Sequence, residues 1–163
     1  MQAGSLHHNR GRMSYNVELI QVPLIHTAVI RSAVRPANFG KFVQACCGEV
    51  WTFAKTAGLP KPGRHVALYA DGDGPVEVGV EVTAPFVGNQ RVICSSLPAG
   101  RAVVTVHYGP YQLLGQAHDA ILKWCAAQGL KRAGVCWEIY GHWDAAWNND
   151  PGKIRTDVGH LVV

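Results

Sequence analysis

The chain has 163 residues, 48% of them hydrophobic and 16% charged, with a formal net charge of +4, a length that suits one domain burying roughly two thirds of the surface its unfolded chain exposes. Its fifteen Lys and Arg are scattered singly, which argues against nucleic-acid binding by this chain alone, and no apolar run reaches the ~18 residues of a membrane span. Five cysteines, an odd number without C-x-x-C or Cys/His ligand spacing, and eight dispersed histidines predict reduced thiols, no metal, no cofactor and a cytoplasmic location.

Residues 1–12 carry neither periodicity nor apolar content and read as a leader before a domain spanning 13–163. Between 17 and 34 β-branched residues cluster on both sides of Pro23; because proline interrupts a sheet ladder, the stretch is one long edge strand or two shorter strands. After Arg35-Pro36 the apolar period changes. Phe39, Phe42, Val43, Cys46, Val50, Phe53, Ala54 and Ala57 fall on one helical face, predicting a helix over about 37–57 stopped by Gly58 and Pro60.

Strands at 64–70 and 76–83 follow, joined by Asp71-Gly72-Asp73-Gly74-Pro75, whose turn chemistry predicts an antiparallel hairpin and whose spacing lacks the further ligands of a calcium loop. A linker through Pro85, Gly88 and Asn89 leads to the strand residues 92–96 and then to a strong strand over 101–108. Pro110 suits the first turn of a second helix, with Leu113, Leu114, Ala117, Ile121, Trp124 and Cys125 as its apolar stripe and Gly129 as its stop. A strand at 134–143, a loop at 144–152 and a last strand at 154–163 complete the chain.

The strand at 134–143 carries the chemistry. Alternation puts Cys136, Glu138 and Tyr140 on one face and Trp137 and Ile139 on the other. A carboxylate in a β-branched and aromatic strand is costly to bury unless it is paired; the two readings are a wet edge face or a site. Around it, His107 and His142 read either as strand-end histidines or as catalytic groups, and Trp143 and Trp147 as a lid or as cover for the sheet edge. Arg155 and Asp157 share a strand face and read as a structural ion pair.

The chain also repeats itself. Strand, Pro, helix, Gly-Leu, strand, turn, strand runs over about 17–83 and again over 101–163, with Ala28-Val29-Ile30 matching Ala102-Val103-Val104, Pro36 matching Pro110, Gly58-Leu59 matching Gly129-Leu130, Tyr69 matching Tyr140 and Val78-Gly79 matching Val158-Gly159. The fold class is therefore α+β: duplicated β-α-β-β units forming one antiparallel sheet, two helices on one side, and a ligand cleft between pseudo-twofold halves. The repeat is asymmetric in chemistry, since Ala67 stands where the second half has Glu138.

The order Leu97-Pro98-Ala99-Gly100, His107-Tyr108-Gly109-Pro110-Tyr111, Trp124, Gly129, Trp137-Glu138-Ile139-Tyr140 and Ile154-Arg155-Thr156-Asp157 resembles the GyrI-like superfamily of effector-binding domains over about 17–163. The resemblance implies a stand-alone domain holding a hydrophobic, often cationic ligand, with Glu138 at the pocket floor and Tyr69, Tyr108 and Tyr140 among its aromatic walls; His107, Trp143 and Trp147 complete the candidate ligand-binding set. It also implies a second possibility, a hydrolase of cyclopropane-bearing or other electrophilic toxins with Glu138, Tyr140 and Tyr69 as catalytic residues, and a weaker third, a regulator that binds gyrase or another protein.

The residues allow both chemical uses. A carboxylate among aromatic rings attracts a cation, each ring adding of order 0.5 to 2 kcal/mol, and the same carboxylate beside a tyrosine hydroxyl can move a proton. The expected partner is a small hydrophobic or cationic xenobiotic, with neither membrane nor nucleic acid, and an exposed sheet edge is a place for a homodimer contact.

Overall fold

The computed structural model describes residues 14–163; the leader read at 1–12 lies outside them. Pro23 divides the first β-rich stretch into β1 (Glu18–Val22) and β2 (Ile25–Ser32). Helix α1 (Phe39–Thr56) starts where the Asn38 side chain accepts a hydrogen bond from the Lys41 N–H and ends before Gly58 at φ +66°, a conformation that glycine adopts without steric penalty. The hairpin β3 (His65–Ala70) and β4 (Val76–Glu81) follows, then β5 (Ile93–Leu97) and β6 (Gly100–Tyr108). Pro110 opens a single 3-10 turn, Tyr111–Leu113, rather than the α-helix itself. Helix α2 (Leu114–Gln128) runs on from that turn to Gly129 at φ +67°. The chain ends with β7 (Arg132–Tyr140), two short 3-10 turns over Ala145–Asn148 and Pro151–Lys153, and β8 (Arg155–Val162).

All eight strands form one antiparallel sheet in the order β1-β6-β8-β7-β3-β4-β2-β5. Outward from its centre the order is β7-β8-β6-β1 on one side and β3-β4-β2-β5 on the other, so the duplicated β2-α1-β3-β4 and β6-α2-β7-β8 units meet along β3 and β7. Each helix covers its own half. Helix α1 packs on β4 and β2, and α2 on β6 and β8. The cores beneath them are separate: Cys46 and Val50 against Ala28, Val78 and Val80 in the first half, and Ala117, Ile121 and Cys125 against Val103 and Val158 in the second. The central strands β3 and β7 are left between the two helices.

A third apolar cluster lies on the other face, where Trp137 and Ile139 pack with Val66, Leu97 and Ala102. Gly159 is required there, because a Cβ on it would come within 2.5 Å of the Trp137 indole. The five cysteines are all free thiols. No helix among the described residues is long and apolar enough to cross a membrane.

Candidate functional site

The register of the central pair places the site. Ala67 on β3 faces Glu138 on β7, and the repeat that matches Tyr69 to Tyr140 also matches Ala67 to Glu138. The pseudo-twofold axis therefore passes through this one residue pair. An acid at both positions would set two carboxylates face to face; with Ala67 opposite, a single carboxylate stands on the axis and the two symmetry-related tyrosines reach it from either side. The Tyr69 hydroxyl donates to Glu138 Oε2 over 3.0 Å and the Tyr140 hydroxyl to the same oxygen over 2.5 Å.

Glu138 is only 7% exposed, and its other oxygen is also held: Oε1 lies 2.8 Å from His118 Nε2. Burial alone pushes its pKa up, but the hydrogen bonds from His118, Tyr140 and Tyr69 outweigh that and hold it below the ordinary glutamate value. It is a carboxylate at neutral pH. Burial and the Glu138 charge push both tyrosines far upward, so they remain neutral phenols that donate.

Behind Glu138 a hydrogen-bond chain runs from α2 across the sheet. His118 Nδ1 lies 2.8 Å from His160 Nε2, Arg132 donates its Nε–H to His160 Nδ1 over 2.8 Å, and Arg132 grips Asp71 through both terminal nitrogens at 2.8 and 2.9 Å. A bulge in β7 makes this reach possible. Cys136 pairs with His160 but Arg132 pairs with Val162, so the irregularity at Gly134, φ +84°, draws Arg132 two positions closer to His160 than a regular ladder would. Burial, then the charges of His118 and Arg132, push His160 down to about 3, and it is neutral. Burial also pushes His118 down, and hydrogen bonding and charge from Cys136 and Glu138 pull it up by more; against that pull stands the Arg132 donor, which makes His160 the donor to His118 Nδ1.

One ring nitrogen each of His118 and His160 and the Cys136 Sγ lie within 4.8 Å of one another, three ligand-type atoms from three elements whose sequence spacing reveals nothing. Metal chemistry fits them poorly. A metal on His160 Nε2 requires a proton on Nδ1, which would then face the Arg132 N–H across 2.8 Å.

The front of Glu138 opens into a cavity of about 840 Å³. Its walls include Phe39, Val43 and Trp51 of α1, Tyr111 and Leu114 at the start of α2, and Tyr69, Tyr140 and Trp143. The size and the mainly apolar lining, with Glu138 its one carboxylate and Lys61 its one lysine, are those of a small-molecule site. A shallower depression of about 440 Å³ beside α1 contains Glu49, which is paired with Arg91 at 2.8 Å; its charge is already taken.

Of the residues singled out from sequence, Glu138, Tyr69, Tyr140 and Trp143 line the cavity. Trp147 is off the cavity wall, packed edge-on against Trp143 with ring centroids 5.3 Å apart. His107 and Tyr108 lie off the cavity wall: His107 is buried and bonded to the Tyr15 hydroxyl and the Pro110 carbonyl, and its neighbour Tyr108, pointing to the opposite face, is exposed. His142 lies on the wall and Arg155 pairs with Asp157 at 3.0 Å. Residue patterning read Phe39 as part of the core stripe of α1, although it lines the cavity, and did not single out His118. His118 sits four residues after Leu114 and three before Ile121, a polar residue on the buried stripe of α2, which is the signal that would have found it.

A concave aromatic cavity over a buried carboxylate, set between the halves of a duplicated sheet, defines a small-molecule binding domain. The chain belongs to the family of GyrI-like small molecule binding domains, whose model matches residues 15–159. Its fold is similar to the C-terminal domain of EcmrR, with 23% identity, a TM-score of 0.73, and 93% of this chain and 99% of that one covered. It is also similar to SAV2435 bound to tetraphenylphosphonium (15% identity, TM-score 0.59, 93% and 94% covered) and to a hydrolase encoded by lin2189 from Listeria innocua (15%, 0.58, 90% and 91%). No curated protein sequence matches the chain.

Proposed function

We propose that the cavity captures amphipathic organic monocations, with the Glu138 carboxylate as the counter-charge and Tyr69, Tyr140 and Trp143 as its aromatic walls. The observation that carries this reading is a buried, ionised carboxylate at the floor of an apolar chamber. A cation about 5 Å from that charge gains roughly 3 kcal/mol at an effective dielectric near 20. Each aromatic face adds of order 0.5 to 2 kcal/mol. Tyr69 already serves a cation on one face, since the Arg35 guanidinium lies 5.0 Å over its ring. That the neighbour SAV2435 is bound to tetraphenylphosphonium makes this ion a suitable probe. Saturable quenching of tryptophan fluorescence by tetraphenylphosphonium is expected, with affinity about ten- to a hundredfold lower in Glu138→Gln; equal affinities in the two proteins would refute the role of Glu138. The setting would be the cytoplasm, where its thiols stay reduced.

A hydrolase reading has one observation in its favour, the Tyr140 hydroxyl 2.5 Å from Glu138, which joins a candidate base to a candidate acid. Glu138 would take a proton from water as that water attacks the strained ring, and a tyrosine hydroxyl would protonate the carbon or heteroatom that leaves. Capture is the better supported use, because a carboxylate held by three donors and shifted downward is a weak base. Mass spectrometry after long incubation with a cyclopropane-bearing electrophile decides between them: a hydrated product establishes turnover, and intact compound leaves binding.

A further inference from the structure

The chain behind Glu138 has a direction. Arg132 carries only donors, so His160 Nδ1, 2.8 Å from Arg132 Nε, must accept. A neutral His160 then bears its proton on Nε2 and donates it to His118 Nδ1 across 2.8 Å. With Nδ1 accepting, the one proton left to His118 is on Nε2, pointed at Glu138 Oε1. Every bond from Arg132 to Glu138 is satisfied in this order, and His118 is neutral in it. A second proton on His118 would set two N–H groups against each other, either between the imidazoles or between His160 and Arg132.

We propose that Arg132 is a positioning residue: by donating to His160 it directs the hydrogen-bond chain, keeps His118 uncharged, and leaves the Glu138 charge free for a cationic ligand. The inference rests on the reading of Glu138 as the cation's partner, since a His118 imidazolium at 2.8 Å would already neutralise it. Arg132, His160 and His118 all lie outside the cavity wall, so they act on a ligand through Glu138 alone. The groups facing His118 are Glu138 and Cys136 from β7, His160 from β8, and Tyr69 from β3 with its ring edge-on at 6.4 Å; beyond His160 stand Arg132 and Asp71. Glu138 and Cys136 pull His118 toward protonation. The Arg132 donor is what opposes them.

Two measurements test this. In the ligand-free protein at pH 7, nitrogen-15 NMR of the imidazole rings is expected to find His118 protonated on Nε2 alone; in Arg132→Met it is expected to find both nitrogens protonated, with the second proton leaving only at alkaline pH. Tetraphenylphosphonium affinity is expected to be flat between about pH 6.5 and 8.5 in the unaltered protein. In Arg132→Met it should be about tenfold weaker at pH 7 and recover at alkaline pH. Because Arg132→Met also loses the Asp71 ion pair, His160 provides a second pair of variants. A glutamine can accept from Arg132 at Oε1 and donate to His118 from Nε2, so His160→Gln should restore the flat profile, whereas His160→Met should behave as Arg132→Met.

A doubly protonated His118 in the unaltered protein at pH 7 would overturn the proposal. So would a flat profile in Arg132→Met, or zinc shifting the His118 and His160 ring signals as ligands do. Failure of tetraphenylphosphonium to bind the unaltered protein would instead refute the cation-capture reading, and the ring protonation states would still decide the direction of the chain.

Discussion

Tyr69 and Tyr140 donate to the same oxygen of one buried carboxylate, at 3.0 and 2.5 Å, and that sharing has a measurable consequence. Replacing either by phenylalanine removes a charge-assisted hydrogen bond and little volume. Such a bond to a charged group contributes about 1.5 to 3 kcal/mol; Tyr140→Phe, which removes the shorter bond, is expected near 2.5 kcal/mol and Tyr69→Phe near 1.5. After one hydroxyl is lost the other compensates in part, so the double variant should lose more than the sum of the two, with a coupling of about 0.5 to 1 kcal/mol. Urea unfolding at pH 7 reads all four proteins of the cycle. The pH dependence follows from the sign of the shift. Glu138 is held below its unfolded value of about 4.3, so the stability it contributes is present above that value and is lost as the pH falls through its folded pKa. The cost of each substitution should be full at pH 7 and should shrink on acidification below about pH 4. An equal cost at both ends of that range would assign the loss to packing and refute the charge argument. Strict additivity would refute the shared acceptor.

Trp143 is 56% exposed yet lines the cavity, so Trp143→Ala should weaken tetraphenylphosphonium binding several-fold, about 1 kcal/mol of lost cation-π contact, and leave the urea midpoint within about 0.5 kcal/mol. Gly159→Ala places a methyl into the Trp137 indole and should destabilise by about 1 to 3 kcal/mol, read by thermal unfolding. Cys47 lines the cavity, but burial and the adjacent Cys46 push its thiol up to about 12. At pH 8 iodoacetamide is therefore expected to alkylate the exposed Cys94 and spare Cys47, as peptide mass mapping would show.

Much of this fold is legible in one dimension because its signals are local. Pro23 ends β1 whatever surrounds it, Gly58 and Gly129 end the helices at φ +66° and +67°, and the turn at 71–75 closes a hairpin. The repeat adds a global constraint, since two equal β-α-β-β units have few ways to share a sheet. Boundaries are less legible. The strand at 134–143 ends at Tyr140, because Gly141 turns away and bonds the Arg155 carbonyl at 3.0 Å. The helix after Pro110 is delayed by one 3-10 turn.

The site divides in the same way. Alternation along β7 puts Glu138 beside Tyr140, and the internal repeat adds Tyr69, because both are periodicities that the order of residues alone carries. His107, in a motif adjoining Tyr108 and Pro110, has no such periodicity to place it, and its side chain bonds the Tyr15 hydroxyl and the Pro110 carbonyl away from the cavity. Sequence by itself determined the two-unit sheet and the single acid between paired tyrosines. Tertiary structure alone decided that Glu138 lies on the pseudo-twofold axis, that His118 and His160 meet behind it, and that a bulge at Gly134 brings Arg132 into line with them. Those contacts join α2, β7 and β8 over separations of twenty or more residues, and which atoms converge is set by the register shift in β7 and by how α2 seats on the sheet, neither of which local patterning encodes.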